Sequence, residues 1–153
     1  MIETVGIIGA GTMGNGIAQI CAAAGLNVTM VDISDAAVQR GLKTVGGSLD
    51  RLVSKEKMTA ADRDATLARI NATTDKSKLA ACDLVIEAAT ENEELKVKIL
   101  RDLCAGLKPS ALVATNTSSI SITRLAASTD RPDRFIGMHF FNPVPVMALL
   151  ELI

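Results

Sequence analysis

Apolar residues in this chain fall alternately into short unbroken runs and into helical spacing. Val5-Gly6-Ile7-Ile8 has the pattern of a buried strand, after which Ile17, Ala18, Ile20 and Cys21 recur on one helical face. Further strands are expected at 27–31, 69–73, 84–88, 112–115 and 135–139, with a helix over 93–107 and a short one after Ser121. Ser34 or Asp35 can cap a helix carrying Val38, Leu42, Val45, Leu49 and Leu52. Thr59 begins another helix, with Asp62 as its capping-box partner. This alternation predicts an α/β fold: a doubly wound, mostly parallel sheet with helices on both faces.

Two stretches depart from a plain strand-helix repeat. Gly46-Gly47 and the charged run Arg51, Lys55, Glu56 and Lys57 lie in a helical excursion longer than the usual crossover between second and third strands. It reads either as a solvated hairpin or as a positive arm, Arg51, Lys55 and Lys57, that meets a phosphorylated ligand. Near the end, a turn at Val144-Pro145-Val146 would return the chain antiparallel. Positions summing to about 290 then face one another, which sets Glu151 opposite His139.

Composition narrows the possibilities. The 153 residues are 48% hydrophobic, enough for one core and one domain. A net charge of -1 leaves no footprint for nucleic acid or an acidic membrane, and three Phe without Tyr or Trp argue against base-stacking platforms. Cys21, Cys82 and Cys104 are odd in number and widely spaced, which suggests buried thiols in a reducing compartment. With one His and no paired Cys motif, no metal site is expected. The absence of a leader pattern and of a membrane-length apolar stretch makes the cytoplasm the expected location.

Candidate chemistry begins at Gly9-Ala10-Gly11-Thr12-Met13-Gly14, between the first strand and the first helix. In a dinucleotide-binding fingerprint, Gly9 serves the turn, Gly11 lets the backbone approach a pyrophosphate and Gly14 lets the helix pack on the strand. Free N–H groups of the helix then face the phosphates. Asp32 ends the second strand, 18 residues beyond Gly14, where a carboxylate reads the adenosine ribose. Ile33, Ser34 and Asp35 supply no cation, and Arg40 lies more than a turn into the next helix, so NAD is expected rather than NADP. The alternative is a glycine-rich turn that binds nothing.

Polar residues gather where later strands end: Glu87 and Glu91, then Asn116-Thr117-Ser118-Ser119, then His139 and Asn142. Ligands of open parallel sheets sit at that edge. Any one of these residues could be a cap or a loop residue, and capping is the first reading for Ser119 or Ser121. A lone imidazole behind a dinucleotide fingerprint points to proton transfer coupled to hydride transfer, with Glu151 orienting the ring and favouring its protonated form. The alternative is a His-Glu pair that merely closes a sheet edge.

The fingerprint, Glu87-Ala88 with Glu91 and Lys96, Asn116-Thr117-Ser118-Ser119 and His139-Phe140-Phe141-Asn142-Pro143-Val144-Pro145 together resemble the 3-hydroxyacyl-CoA dehydrogenase family across the whole chain. The resemblance implies a Rossmann-type fold and NAD-dependent oxidation of an (S)-3-hydroxyacyl-CoA, short-chain substrates such as 3-hydroxybutyryl-CoA first, or the reverse reduction. It implies that His139 is the general base, Glu151 its polarising partner and Ser118 a contact to substrate near the reacting carbon. Asn116 and Asn142 would lie by the nicotinamide and the thioester arm, Glu91 and Lys96 along the cofactor cleft, and Ser48 and Lys55 against coenzyme A.

Family members continue into an all-helical domain that completes the pocket and carries most homo-oligomer contacts, whereas this chain stops at Ile153. Residues 1–153 are therefore expected to be an NAD-binding domain with weak or no turnover alone. Its apolar end, Val146, Met147, Leu149, Leu150, Leu152 and Ile153, is expected to self-associate. Three functions compete: the family's enzyme, an NAD-binding module without turnover, and a structural, crystallin-like reuse of the fold. A purely structural role places no demand on His139, Glu151 and Ser118.

Overall fold

The computed structural model describes residues 1–117 and 119–153. The apolar runs form β1 (Thr4–Ile8), β2 (Asn27–Val31), β3 (Ile70–Thr73), β4 (Leu84–Glu87), β5 (Leu112–Thr115), β6 (Phe135–Phe140) and β7 (Leu150–Leu152). They build one sheet in the order β3-β2-β1-β4-β5-β6-β7, parallel except for β7. The chain steps outward from β1 to β3, then crosses back to β4 beside β1 and proceeds the other way. Connections diverge at that reversal, so a crevice opens beyond the carboxyl ends of β1 and β4.

Alternation along the central strands divides the core. Val5, Ile7, Leu84 and Ile86 pack with α1 (Thr12–Ala23) and α2 (Asp35–Ser54) on one face. Ile8, Val85 and Val113 pack with α4 (Glu93–Gly106) and α5 (Ile122–Ala127) on the other. Such strands must be apolar on both sides, which explains their unbroken runs. The α2 helix continues through Gly46-Gly47 because Val45 and Leu49, both fully buried, anchor it on either side of the pair. With α3 (Ala60–Ala68) it forms the excursion before β3. Two short 3-10 turns, Lys76–Leu79 and Pro132–Arg134, have no apolar period to betray them.

Helix starts follow side-chain chemistry, with one exception. Ser34, Thr59, Asn92 and Ser121 each accept a backbone N–H at the start of α2, α3, α4 and α5, at 3.0–3.2 Å. At α1 the cap is Gly11, which has no side chain to offer. The N–H groups of that first turn are left open.

In the β6-β7 pair, Met138 faces Leu152, His139 faces Glu151 and Phe140 faces Leu150, the register that the turn around Pro145 requires. Val146, Leu149, Leu152 and Ile153 remain exposed. Among the described residues no helix is long and apolar enough to cross a membrane.

Candidate cofactor and active site

The turn after β1 is shaped by two glycines. Gly9 has φ +107°, a left-handed conformation, and a Cβ there would meet the Ala88 carbonyl oxygen at 2.7 Å. A Cβ on Gly14 would come within 1.8 Å of the Gly9 carbonyl oxygen. The third glycine therefore lets the helix begin against the turn itself, not against the strand as the fingerprint suggested. With no capping side chain, the first turn of α1 presents donors and positive dipole to an anion.

Asp32 is half-buried at the end of β2. One carboxylate oxygen accepts the Ala10 N–H at 2.8 Å and the other the Ile33 N–H at 2.7 Å, which fixes the group while leaving lone pairs for ligand hydroxyls. It separates two cavities. One, of about 300 Å³, lies between Ile33, Leu95 and Ile99, with Lys76 and Lys98 on its wall. The other, of about 280 Å³, runs from Gly11, Thr12 and Asn15 to Ala37, Arg40 and Thr44. The view that no cation stands near Asp32 needs correction, because Arg40 lines the same cavity. Gly41 makes this possible: a Cβ there would sit 2.8 Å from the Ala10 carbonyl oxygen, so α2 lies directly against the turn.

A third cavity, of about 350 Å³, is bounded by Gly11–Met13, residues 88–91, Lys96, Asn116 and Thr117. Beneath it, Lys96 forms an ion pair with Glu87, both wholly buried. The Thr115 hydroxyl donates to the same Glu87 oxygen at 2.8 Å, and the Ala89 N–H to the other at 2.8 Å. This cluster, assembled from β4, α4 and β5, was only partly visible in sequence. The Glu91 carboxylate accepts the hydroxyls of Thr117 at 2.8 Å and Ser119 at 3.0 Å, so Ser121 alone caps α5. Asn116 joins this cavity to β6 by accepting the Phe140 N–H at 2.9 Å.

On β6, the His139 Nδ1 lies 3.7 Å from Glu151 Oε1, too long for a hydrogen bond. That nitrogen is buried and has no hydrogen-bond partner among the described residues. Phe141 braces the ring, centroids 4.4 Å apart and tilted by 47°. Ser118 lies outside the described residues. Asn142 is exposed beyond β6, while Ser48 and Lys55 sit on and just after α2 and line none of the three cavities. The carboxyl edge thus brings together an uncapped helix start, a carboxylate fixed by two backbone N–H groups and, farther along, an imidazole facing a carboxylate.

Residues 4–153 match the family model described as 3-hydroxyacyl-CoA dehydrogenase, NAD binding domain. The chain belongs to that family. Among 3-hydroxyacyl-CoA dehydrogenase relatives, it is 56% identical over 153 residues to a 3-hydroxybutyryl-CoA dehydrogenase of Bradyrhizobium diazoefficiens, all of this chain against 52% of the relative. Identity to 3-hydroxyadipyl-CoA dehydrogenase of Escherichia coli is 45% over 152 residues, 99% of this chain and 32% of the relative. The crystal structure of (S)-3-hydroxybutyryl-CoA dehydrogenase from Ralstonia eutropha superposes with TM-score 0.98 at 66% identity, over 99% of this chain and 54% of that one. The chain thus spans about half the length of the two 3-hydroxybutyryl-CoA dehydrogenases.

Proposed function

We propose that this chain holds NAD and supplies the proton-transfer pair for oxidation of an (S)-3-hydroxyacyl-CoA, a short-chain one such as 3-hydroxybutyryl-CoA, or for the reverse reduction. The observation that carries this reading is the register that sets Glu151 against His139 on the sheet that also presents the dinucleotide turn. Bound nicotinamide supplies the hydride acceptor. His139 takes the 3-hydroxyl proton as the hydride leaves C3, and Glu151 steadies the ring through Nδ1, leaving Nε2 for substrate. Closing the 3.7 Å gap needs only a small movement of an exposed carboxylate.

The remaining roles are assigned by the family resemblance, which the positions of the described residues support for the turn, Asp32 and the cavity residues. The α1 terminus takes the pyrophosphate through the Gly9–Gly14 turn, and Asp32 takes the adenosine ribose. Glu91, Lys96 and Asn116 bound the cavity assigned to the nicotinamide side; by the family resemblance, Asn116 and Asn142 serve the nicotinamide and the thioester arm and Ser118 contacts substrate near the reacting carbon. On the excursion, Ser48 and Lys55 meet coenzyme A. The exposed apolar residues of β7 and its approach support association with other apolar surface, a second copy of this chain included.

A second reading, NAD binding without turnover, is favoured by the unclosed His139-Glu151 contact. NADH oxidation with acetoacetyl-CoA, compared with the His139→Ala variant and an NADH titration, separates them. Turnover that falls about 100-fold or more in the variant supports the enzyme. Binding without turnover leaves a cofactor module, and turnover indifferent to His139 overturns the assignment of the base.

A further inference from the structure

We propose that Asn116 is a positioning residue for the proton-transfer step: its side-chain oxygen splices β6 to the end of β5 beside His139, and its amide NH2 is the donor left for the nicotinamide cavity. The second half rests on the reading of that cavity as the nicotinamide side; the splice does not.

Hydrogen-bond direction along β6 shows why a splice is needed. Gly137 and Ile153 exchange both backbone hydrogen bonds at 3.0 Å, so the next such pair in the antiparallel register is His139 with Glu151, and the Phe140 N–H points away from β7. It faces the side of β5, which pairs with β6 only as far as Thr115 opposite Gly137. Phe140 is 7% exposed, and a buried N–H without an acceptor is costly. The acceptor is Asn116 Oδ1, at 2.9 Å. The root of that side chain is itself fixed, because the Asn116 N–H donates to the Glu87 carbonyl at the end of β4, also at 2.9 Å. One residue past its own strand, Asn116 thus ties β4 to β6 where the imidazole is carried.

The same bond assigns the polarity of the amide. An N–H donor must meet the oxygen, which leaves NH2, a donor only, for the cavity that Asn116 lines with Gly11–Met13 and residues 88–91. The charged side chains of that wall are committed, Lys96 to Glu87 and Glu91 to the hydroxyls of Thr117 and Ser119. A neutral donor there suits a carbonyl oxygen, and the carboxamide of bound nicotinamide has that chemistry. Asn116 then meets the cofactor through nitrogen and the strand of His139 through oxygen, so one side chain sets the hydride acceptor and the base in register.

Two variants separate the two ends. Asn116→Asp keeps an oxygen for Phe140 and removes the NH2, whereas Asn116→Leu removes both; thermal melts confirm that each folds, and Asn116→Asp alone carries the test if Asn116→Leu does not. The readouts are amide hydrogen exchange, the NMR ring signals of His139, the only histidine in the chain, and a fluorescence titration with NADH. In Asn116→Leu the Phe140 amide is expected to exchange about tenfold or more faster, beyond any change shared with β4, and the His139 ring signals to move. In Asn116→Asp the Phe140 amide keeps its protection while NADH binding weakens about fivefold or more, as it also does in Asn116→Leu. Unchanged Phe140 exchange or unmoved ring signals in Asn116→Leu, lost protection in Asn116→Asp, or wild-type NADH affinity in either variant would overturn the proposal. Exchange and ring signals are read without cofactor, so failure of NADH to bind the wild-type chain is a separate result, which removes the cofactor reading beneath it.

Discussion

Lys96 and Glu87 form an ion pair closed off from solvent, with side-chain exposures of 1% and 0%. The pair lies under the cavity bounded by Thr12, Glu91 and Asn116, and the Glu87 carboxylate also takes the Ala89 N–H that shapes the loop after β4. Charge balance at this point contributes to stability. Lys96→Met strands a carboxylate in the core and is expected to cost about 3–5 kcal/mol. Replacing Glu87 by Met in the same background should recover most of that loss. Urea unfolding of the single and double variants measures both, and a mild single variant would mean that water reaches Glu87.

Acid sensitivity has a different origin. Lys108, together with the Glu3 and Thr4 N–H groups, holds the Asp83 carboxyl well below the usual carboxylate range. Between the lowered folded value and the ordinary one, the unfolded chain binds more protons than the folded chain. This contribution is therefore complete above about pH 5 and is lost as pH falls through the ordinary Asp value toward the folded one. Asp83→Asn should flatten the acid side of the stability curve, which pH-dependent thermal melts would reveal.

The three thiols are expected to be inert in the native protein. Burial pushes Cys21 up to about 11, and desolvation also raises Cys82 and Cys104. At neutral pH the Cys21 thiolate is about 100-fold scarcer than that of an ordinary cysteine, before steric protection is counted. Iodoacetamide labelling followed by mass should be slow in buffer and complete in denaturant. Rapid native labelling of Cys21 would show that α1 opens readily.

At the free edge of the sheet, Val146, Leu149, Leu152 and Ile153 are 54–76% exposed around a strand of three residues. Open backbone and apolar side chains together favour pairing with another copy. Sedimentation velocity should show a mass that rises with concentration, and Leu152→Lys should hold the chain monomeric. A constant monomer across concentrations argues against association through β7.

Much of this architecture was legible in the sequence because its signals are local. Unbroken apolar runs and helical spacing marked the strands and the main helices, Thr59 announced the start it caps, and Ser34 and Ser121 were each one of two candidates for theirs. A single assumption about the turn at Pro145 placed Glu151 opposite His139, since antiparallel register follows from where the chain reverses. Relationships made by packing were hidden. Arg40 looked remote from Asp32 along the chain, and only the close approach of α2 at Gly41 brings them to one cavity. Thr115 could not be tied to Glu87 and Lys96 without the order of strands β4 and β5.

Among the described residues, four of the five α-helices carry their own side-chain caps, and α1 does not. That vacancy makes the molecule's robustness conditional. Whatever anion settles on the bare terminus binds the native fold and not the unfolded chain, and at a hundredfold excess over its dissociation constant it adds about 2.7 kcal/mol to stability. A domain built this way is sturdiest when its dinucleotide is plentiful and most easily unfolded when the pool runs low, so its lifetime in the cell becomes tied to cofactor supply.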